Sequence, residues 1–231
     1  MIEKISAEDH FVYDIGWIKS RYHFSFAGYN NPLKMNFGYL RVFNDNVLKS
    51  GEGFETHPHK DMEIISYCID GELTHKDSMG ATELLKSGDI QYISAGTGIF
   101  HSEINKGKNK TRFIQMWIMP GKRGLKPSYA VRRLNKEDKK NKLLKIVSGI
   151  DGDGIIKIYQ NTDIFVGNLE PNKSIEHKIK YENSIYLTIL EGSGYINGIC
   201  VGKRDAVKME KEELLSIESD NGMHVLFLEI K

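Results

Sequence analysis

The chain has 231 residues, 40% hydrophobic and 27% charged, and 32 Lys and Arg against 31 Asp and Glu give it a formal net charge of +1. That length allows one large β domain or two small ones, either with a real core. The charge balance excludes the footprint of a direct nucleic-acid binder, no apolar run reaches the roughly 18–20 residues of a membrane span, and two cysteines, Cys68 and Cys200, exclude a disulfide framework or a Cys-rich zinc site.

The first ten residues mix charges and lack an apolar segment, so they do not read as a secretory signal, and a cytoplasmic location is expected. Short runs rich in Ile, Val, Tyr, Phe and Leu follow, separated by Gly, Asn and Asp. Strands are expected at residues 37–43, 63–69, 91–94, 113–119, 155–159, 164–169, 184–190 and 225–230. Turns are expected at Asn44-Asp45-Asn46, Asp70-Gly71, Ser87-Gly88-Asp89, Asp151-Gly152-Asp153-Gly154 and Asn197-Gly198. Many short strands at this spacing predict an all-β sandwich or barrel rather than βαβ units. Residues 135–142 are polar and lysine-rich, and read as a solvated connector with a turn of helix. They divide the chain into an N-terminal domain, 1–134, and a C-terminal domain, 135–231. Glu191-Gly192-Ser193-Gly194 follows a strand much as Asp70-Gly71-Glu72-Leu73 does, which hints at duplication.

Residues i and i+2 of a strand share a face. His57 and His59 therefore project together while Pro58 points away, and the same parity pairs His101 with Glu103. Three imidazoles and one carboxylate would leave about two open positions on an octahedral ion. Fe, Mn, Ni, Cu, Co and Zn all accept such donors. Six of the eight histidines precede residue 102, so the metal is expected in the N-terminal domain and not in the C-terminal one. Gly96-Thr97-Gly98 lacks the third glycine and the following helix of a dinucleotide loop. His75 and Asp77 read as a hydrogen-bonded turn pair or as part of the site mouth. Gln115 and Trp117 read as core packing or a pocket wall, Cys68 as a buried strand residue, and His177 as a surface histidine.

Gly51…His57-Pro58-His59…Glu63…Gly71, with Gly88…Gly96-Thr97-Gly98-Ile99…His101-Ser102-Glu103, resembles the two motifs of the cupin superfamily. More narrowly, residues 51–70, His75-Lys76-Asp77-Ser78-Met79-Gly80 and residues 94–103 are similar to the pirin family, as are Gly16-Trp17, Phe24-Ser25-Phe26-Ala27 and Leu40-Arg41-Val42-Phe43-Asn44-Asp45. The resemblance implies a bicupin of two antiparallel jelly-roll barrels, with the N-terminal strand packed on the C-terminal barrel and short connecting helices. It implies one divalent metal, iron foremost, on His57, His59, His101 and Glu103, with Glu63 supporting rather than ligating. It further implies a monomer with quercetin 2,3-dioxygenase-type activity, acting on a flavonol-like aromatic substrate and dioxygen with Glu103 as catalytic base. Two other roles remain open at this point: a metal- or redox-dependent regulator acting through a protein partner, and a cupin with an unrelated small substrate.

Overall fold

The computed structural model describes residues 1–231. In chain order, β1 (Ile2–Ile5), β2 (Phe11–Asp14), β3 (Ile18–Tyr22), β4 (Leu40–Leu48), β5 (Gly53–His59) and β6 (Glu63–Asp70) come first. Next are β7 (Glu72–Asp77), β8 (Thr82–Lys86), β9 (Ile90–Ser94), β10 (Ile99–Ile104), β11 (Thr111–Ile118) and β12 (Ser128–Arg132). The last eight are β13 (Leu143–Ser148), β14 (Ile156–Lys157), β15 (Thr162–Leu169), β16 (Lys173–Lys178), β17 (Ser184–Ile196), β18 (Ile199–Gly202), β19 (Ala206–Met209) and β20 (Leu214–Ile230). Only two single turns of 3-10 helix, Ala7–Asp9 and Lys136–Lys139, interrupt them.

The strands fall into two units, each a cupin-type sandwich of open sheets rather than a closed cylinder. The first unit is Phe11–Leu134 with Ile158–Gln160, and the second is Met1–His10, Asn135–Lys157 and Asn161–Lys231. A single cut at residue 134 is thus redrawn twice: residues 1–10 belong with the C-terminal strands, through pairing of β1 with β19, and residues 158–160 belong with the N-terminal ones.

The first unit has a seven-stranded sheet, β12-β9-β6-β11-β4-β3-β2, and a four-stranded sheet, β5-β10-β7-β8. Apolar side chains close the space between the sheets from two sides. Ile18, Leu48, Cys68, Leu73, Leu85 and Phe113 form one cluster. Ile64, Ile93, Ala95 and Ile99 form the other, with Met62, Trp117 and Tyr129 against it.

The second unit is one nine-stranded sheet around a single apolar core. Strands β17 and β20 run 13 and 17 residues, and register shifts at Ile189/Glu191 and Gly192/Gly194 let them serve both halves of the sheet. The strand expected at 184–190 therefore continues through Glu191–Gly194 as a bulged stretch. Gly192 has φ +83°, and a Cβ there would collide with the carbonyl of Gly222.

The expected turn at Asn44-Asp45-Asn46 also lies inside a strand, β4, with all three residues buried. The side chains of Asp45 and Asn46 are met by tertiary partners. Arg112 Nε and Nη2 donate to the two Asp45 oxygens at 2.9 and 2.7 Å, and the Ser20 hydroxyl donates to Asn46 Oδ1 at 2.6 Å. His177, expected at the surface, packs between Phe165 and Phe227 and pairs with Glu229 Oε2 at 2.9 Å. The ring is half-buried rather than fully exposed, and the carboxylate supplies the partner its polar edge needs there.

Candidate metal centre

Two strands of the four-stranded sheet carry the histidine motif. Antiparallel pairing sets His57 of β5 directly across from His101 of β10, and His59 across from Ile99. The ring centroids of His57, His59 and His101 lie 4.5–4.8 Å apart in every pairing. Their ligand atoms fall within 4.8 Å of one another. A register shift between His101 and Glu103 bends β10 at this point. Gly53 permits it, since a Cβ there would collide with the Glu103 carbonyl.

His57 Nδ1 lies 2.7 Å from the Glu55 carbonyl. A carbonyl only accepts, so Nδ1 carries the proton and Nε2 keeps its lone pair. Both nitrogens of His101, 1% exposed, lack a hydrogen-bond partner. Burial, reinforced by the neighbouring imidazoles, lowers the pKa of His101 to about 3 and that of His59 to about 4. Neutral imidazoles with bare nitrogens are what a cation requires.

Glu103 is fully buried, and its oxygens meet donors from the facing sheet. Its Oε1 accepts from Gln91 Nε2 at 2.8 Å and from the Ser66 hydroxyl at 3.2 Å, and its Oε2 accepts from Gln115 Nε2 at 2.7 Å. Gln115 Oε1 in turn accepts the Trp117 indole N–H at 3.3 Å, and Gln91 Oε1 accepts from Tyr129 at 3.1 Å. All these donors are neutral, so the carboxylate has no counter-charge among them. A buried carboxyl group with no charged partner, beside His101 whose two nitrogens are both unpaired, fits a divalent cation. Sequence reading missed Ser66 and Gln91. They stand in one row with Gln115 across three strands of the facing sheet, Gln115 opposite Ser66 and Ser66 opposite Gln91.

The structure brings His57, His59 and His101 into one donor group and places Glu103 in a second, with His75 and His101. His75 Nε2 pairs with Asp77 Oδ2 at 2.9 Å, while Asp77 Oδ1 accepts the N–H groups of Met79 and Ala81. The expected turn pair is there, and it backs onto the site. Glu63 points the other way. Its parity is opposite to Ser66 on β6, and Oε1 accepts from Tyr92 at 2.8 Å and from the Tyr159 N–H at 2.7 Å. Burial raises the Glu63 pKa. Cys68 lies in the apolar core, where burial pushes its thiol up to about 12, away from redox chemistry.

A cavity of about 560 Å³ opens onto His57, His59 and Glu103. Its wall includes Trp17, Tyr22, Phe26, Phe54, Gln115 and Trp117. Edge-to-face pairs brace that wall, Trp17 with Phe54 at 5.7 Å and Phe26 with Trp117 at 5.3 Å.

Two cupin-type units, one with a histidine cluster at the floor of an aromatic cavity, define a bicupin. Comparison with known proteins narrows the class. The pattern described as Pirin matches residues 5–118, and the pattern described as Quercetinase C-terminal cupin domain matches residues 145–230. Over 216 residues the chain is 38% identical to the quercetin 2,3-dioxygenase of Escherichia coli (strain K12), covering 93% of this chain and 92% of that one. It is 35% identical to a pirin-like protein of Caulobacter vibrioides over 93% of this chain and 91% of the other. The crystal structure of the bacterial pirin YhhW from Escherichia coli in complex with nickel(II) superposes with a TM-score of 0.94 at 35% identity, covering 100% of this chain and 99% of that one. The chain belongs to the pirin family.

Proposed function

We propose that this chain is a metal-dependent dioxygenase of the quercetin 2,3-dioxygenase type, taking a flavonol-like aromatic substrate and dioxygen. The observation that carries the reading is the buried Glu103 carboxylate, held by neutral donors alone beside unpaired imidazoles, on the floor of an aromatic cavity. Relatives named quercetin 2,3-dioxygenase support the substrate class. His57, His59, His101 and Glu103 would hold one divalent ion, iron among the candidates. When bound, the ion supplies Lewis acidity toward a substrate oxygen and open coordination positions.

The protein's own groups do the rest. Trp17, Tyr22, Phe26, Phe54 and Trp117 form a braced apolar slot for a planar ring system and exclude water from it. With Oε1 of Glu103 taken by Ser66 and Gln91, and Oε2 taken once by Gln115, one acceptor position remains on Oε2. That position holds the ion or takes a substrate hydroxyl proton, one at a time. Glu103 is therefore both the fourth ligand and the catalytic base of this reading.

The test pairs metal content by mass spectrometry with oxygen-dependent loss of quercetin on the same sample. Stoichiometric metal and turnover, both abolished by His57→Ala, are expected. A folded His57→Ala protein that turns over normally without metal would overturn the assignment.

A further inference from the structure

We infer that the centre has a second, inner metal position formed by His75, His101 and Glu103. The inference rests on the reading that the imidazole cluster holds an ion. Strand pairing puts His75 of β7 directly across from Glu103 of β10. One ligand atom from each of His75, His101 and Glu103 falls within 4.8 Å of the others. All three side chains are buried, at 0–1% exposure.

The hydrogen bonds around His75 decide which of its nitrogens is bare. Asp77 receives two backbone N–H groups on Oδ1 and faces His75 Nε2 with Oδ2. Asp77 is thus an acceptor, so Nε2 carries the proton and Nδ1 the lone pair. Nδ1 is buried and has no partner. One nitrogen donating to a carboxylate and the other left bare is the dressing of a metal-ligating imidazole. His57 is dressed the same way, with the Glu55 carbonyl in the role of Asp77. Stacking on Tyr129, with ring centroids 4.6 Å apart, accounts for the plane of the His75 ring and leaves its bare nitrogen unexplained.

Two imidazoles and a carboxylate suit a first-row divalent cation. The cavity is lined by His57, His59 and Glu103, whereas the buried His75 and His101 are not part of its lining. The ion then has an outer position, open to the cavity, and an inner one withdrawn from it. The two share His101 and Glu103, so they are occupied alternately.

The experiment removes the outer donors and asks whether an ion remains. Metal-free full-length protein carrying His57→Ala and His59→Ala is titrated with Co²⁺, followed by visible absorption and by equilibrium dialysis with metal analysis. One Co²⁺ per chain is expected, bound more weakly than by the parent. Adding His75→Phe, which keeps a ring on Tyr129, is expected to abolish that binding while a cooperative thermal transition persists. Should that variant fail to fold, Asp77→Asn in the same background serves instead. An amide can offer a donor to Nε2 and turn the tautomer, for an expected loss of about 10-fold or more in affinity. No Co²⁺ on the double variant, or Co²⁺ indifferent to position 75 and to Asp77→Asn, overturns the inner position. Parent-like affinity on the double variant that still depends on His75 would remove His57 and His59 from the ligand set and leave the inner position standing.

Discussion

An indole N–H donates and never accepts, and that fact propagates through the centre. Trp117 fixes the Gln115 oxygen, which turns the Gln115 amide nitrogen onto Glu103. Gln91 meets the other carboxylate oxygen from a different strand. Replacing Gln91 by Leu removes one of three donors without changing a ligand. The expected effect is a loss of about 10–100-fold in metal affinity, read by competition with a chromogenic chelator. Glu103→Gln puts an amide N–H against donors that cannot turn away. It should cost about 1–3 kcal/mol in the metal-free protein, measured by urea denaturation. The histidines give the pH dependence its sign. His59 and His101 stay neutral in the folded metal-free protein down to about 4 and about 3, whereas in the unfolded chain they take up protons near 6.5. Their contribution to stability is complete above 6.5 and is lost as pH falls toward the folded values. The urea midpoint of the metal-free protein should therefore fall between pH 7 and pH 4, and less steeply in a His59→Gln variant.

At the scale of elements, β4 and β11 are joined by more than their backbone ladder. Asp45 and Arg112 form a bidentate pair that is nearly buried, at 4% and 8% exposure. Asp45→Ala takes the carboxylate away from a guanidinium in low dielectric. A loss of about 3–5 kcal/mol is expected by denaturant titration, with Arg112→Met in the same background recovering part of it. The same pair explains why residues 44–46 misled the sequence reading. Three consecutive Asn and Asp residues signal a turn unless distant residues satisfy them, and Arg112 lies 67 positions away. The histidine motif was legible for the opposite reason. His57 with His59, and His101 with Glu103, need only the period-two parity of a strand, which sequence shows directly. The row Gln115–Ser66–Gln91 shows the limit. Each is a lone polar residue in an apolar run, and only the register of β11, β6 and β9 brings them to one carboxylate. The bulges that carry β17 past Gly192 and Gly194 were hidden likewise, because the strand was expected to stop at residue 190 and its continuation depends on β20 opposite.

For the whole molecule, two small β units were legible from strand texture; the resemblance implied closed barrels where the sheets are open, it placed the N-terminal strand with the C-terminal unit, and the transfer of residues 158–160 was not foreseen. A run such as Ile2–Ile5 carries no mark of which sheet it will join. In the structure β1 extends the second unit along β19, and the N-terminal amine pairs with Glu212 at 2.7 Å. Deleting residues 1–5 uncovers that edge of the nine-stranded sheet. The expected outcome is a lower melting temperature with Co²⁺ affinity at the centre unchanged, because every donor belongs to the first unit. A truncated protein whose metal affinity fell in step with its stability would show that this separation is wrong.

The pairing of β1 with β19 also sets a timetable. Ile2 meets Met209 and Ile5 meets Ala206. On a ribosome working at about 5–20 residues per second, the first strand leaves the tunnel roughly 10–40 seconds before its partner exists. Throughout that interval the nascent chain trails an unpaired β segment with two isoleucines, Ile2 and Ile5, a ready template for another strand's edge. Glu3 and Lys4 stand between them. Charges inside so short a run keep the waiting strand in water until the end of the chain arrives to claim it.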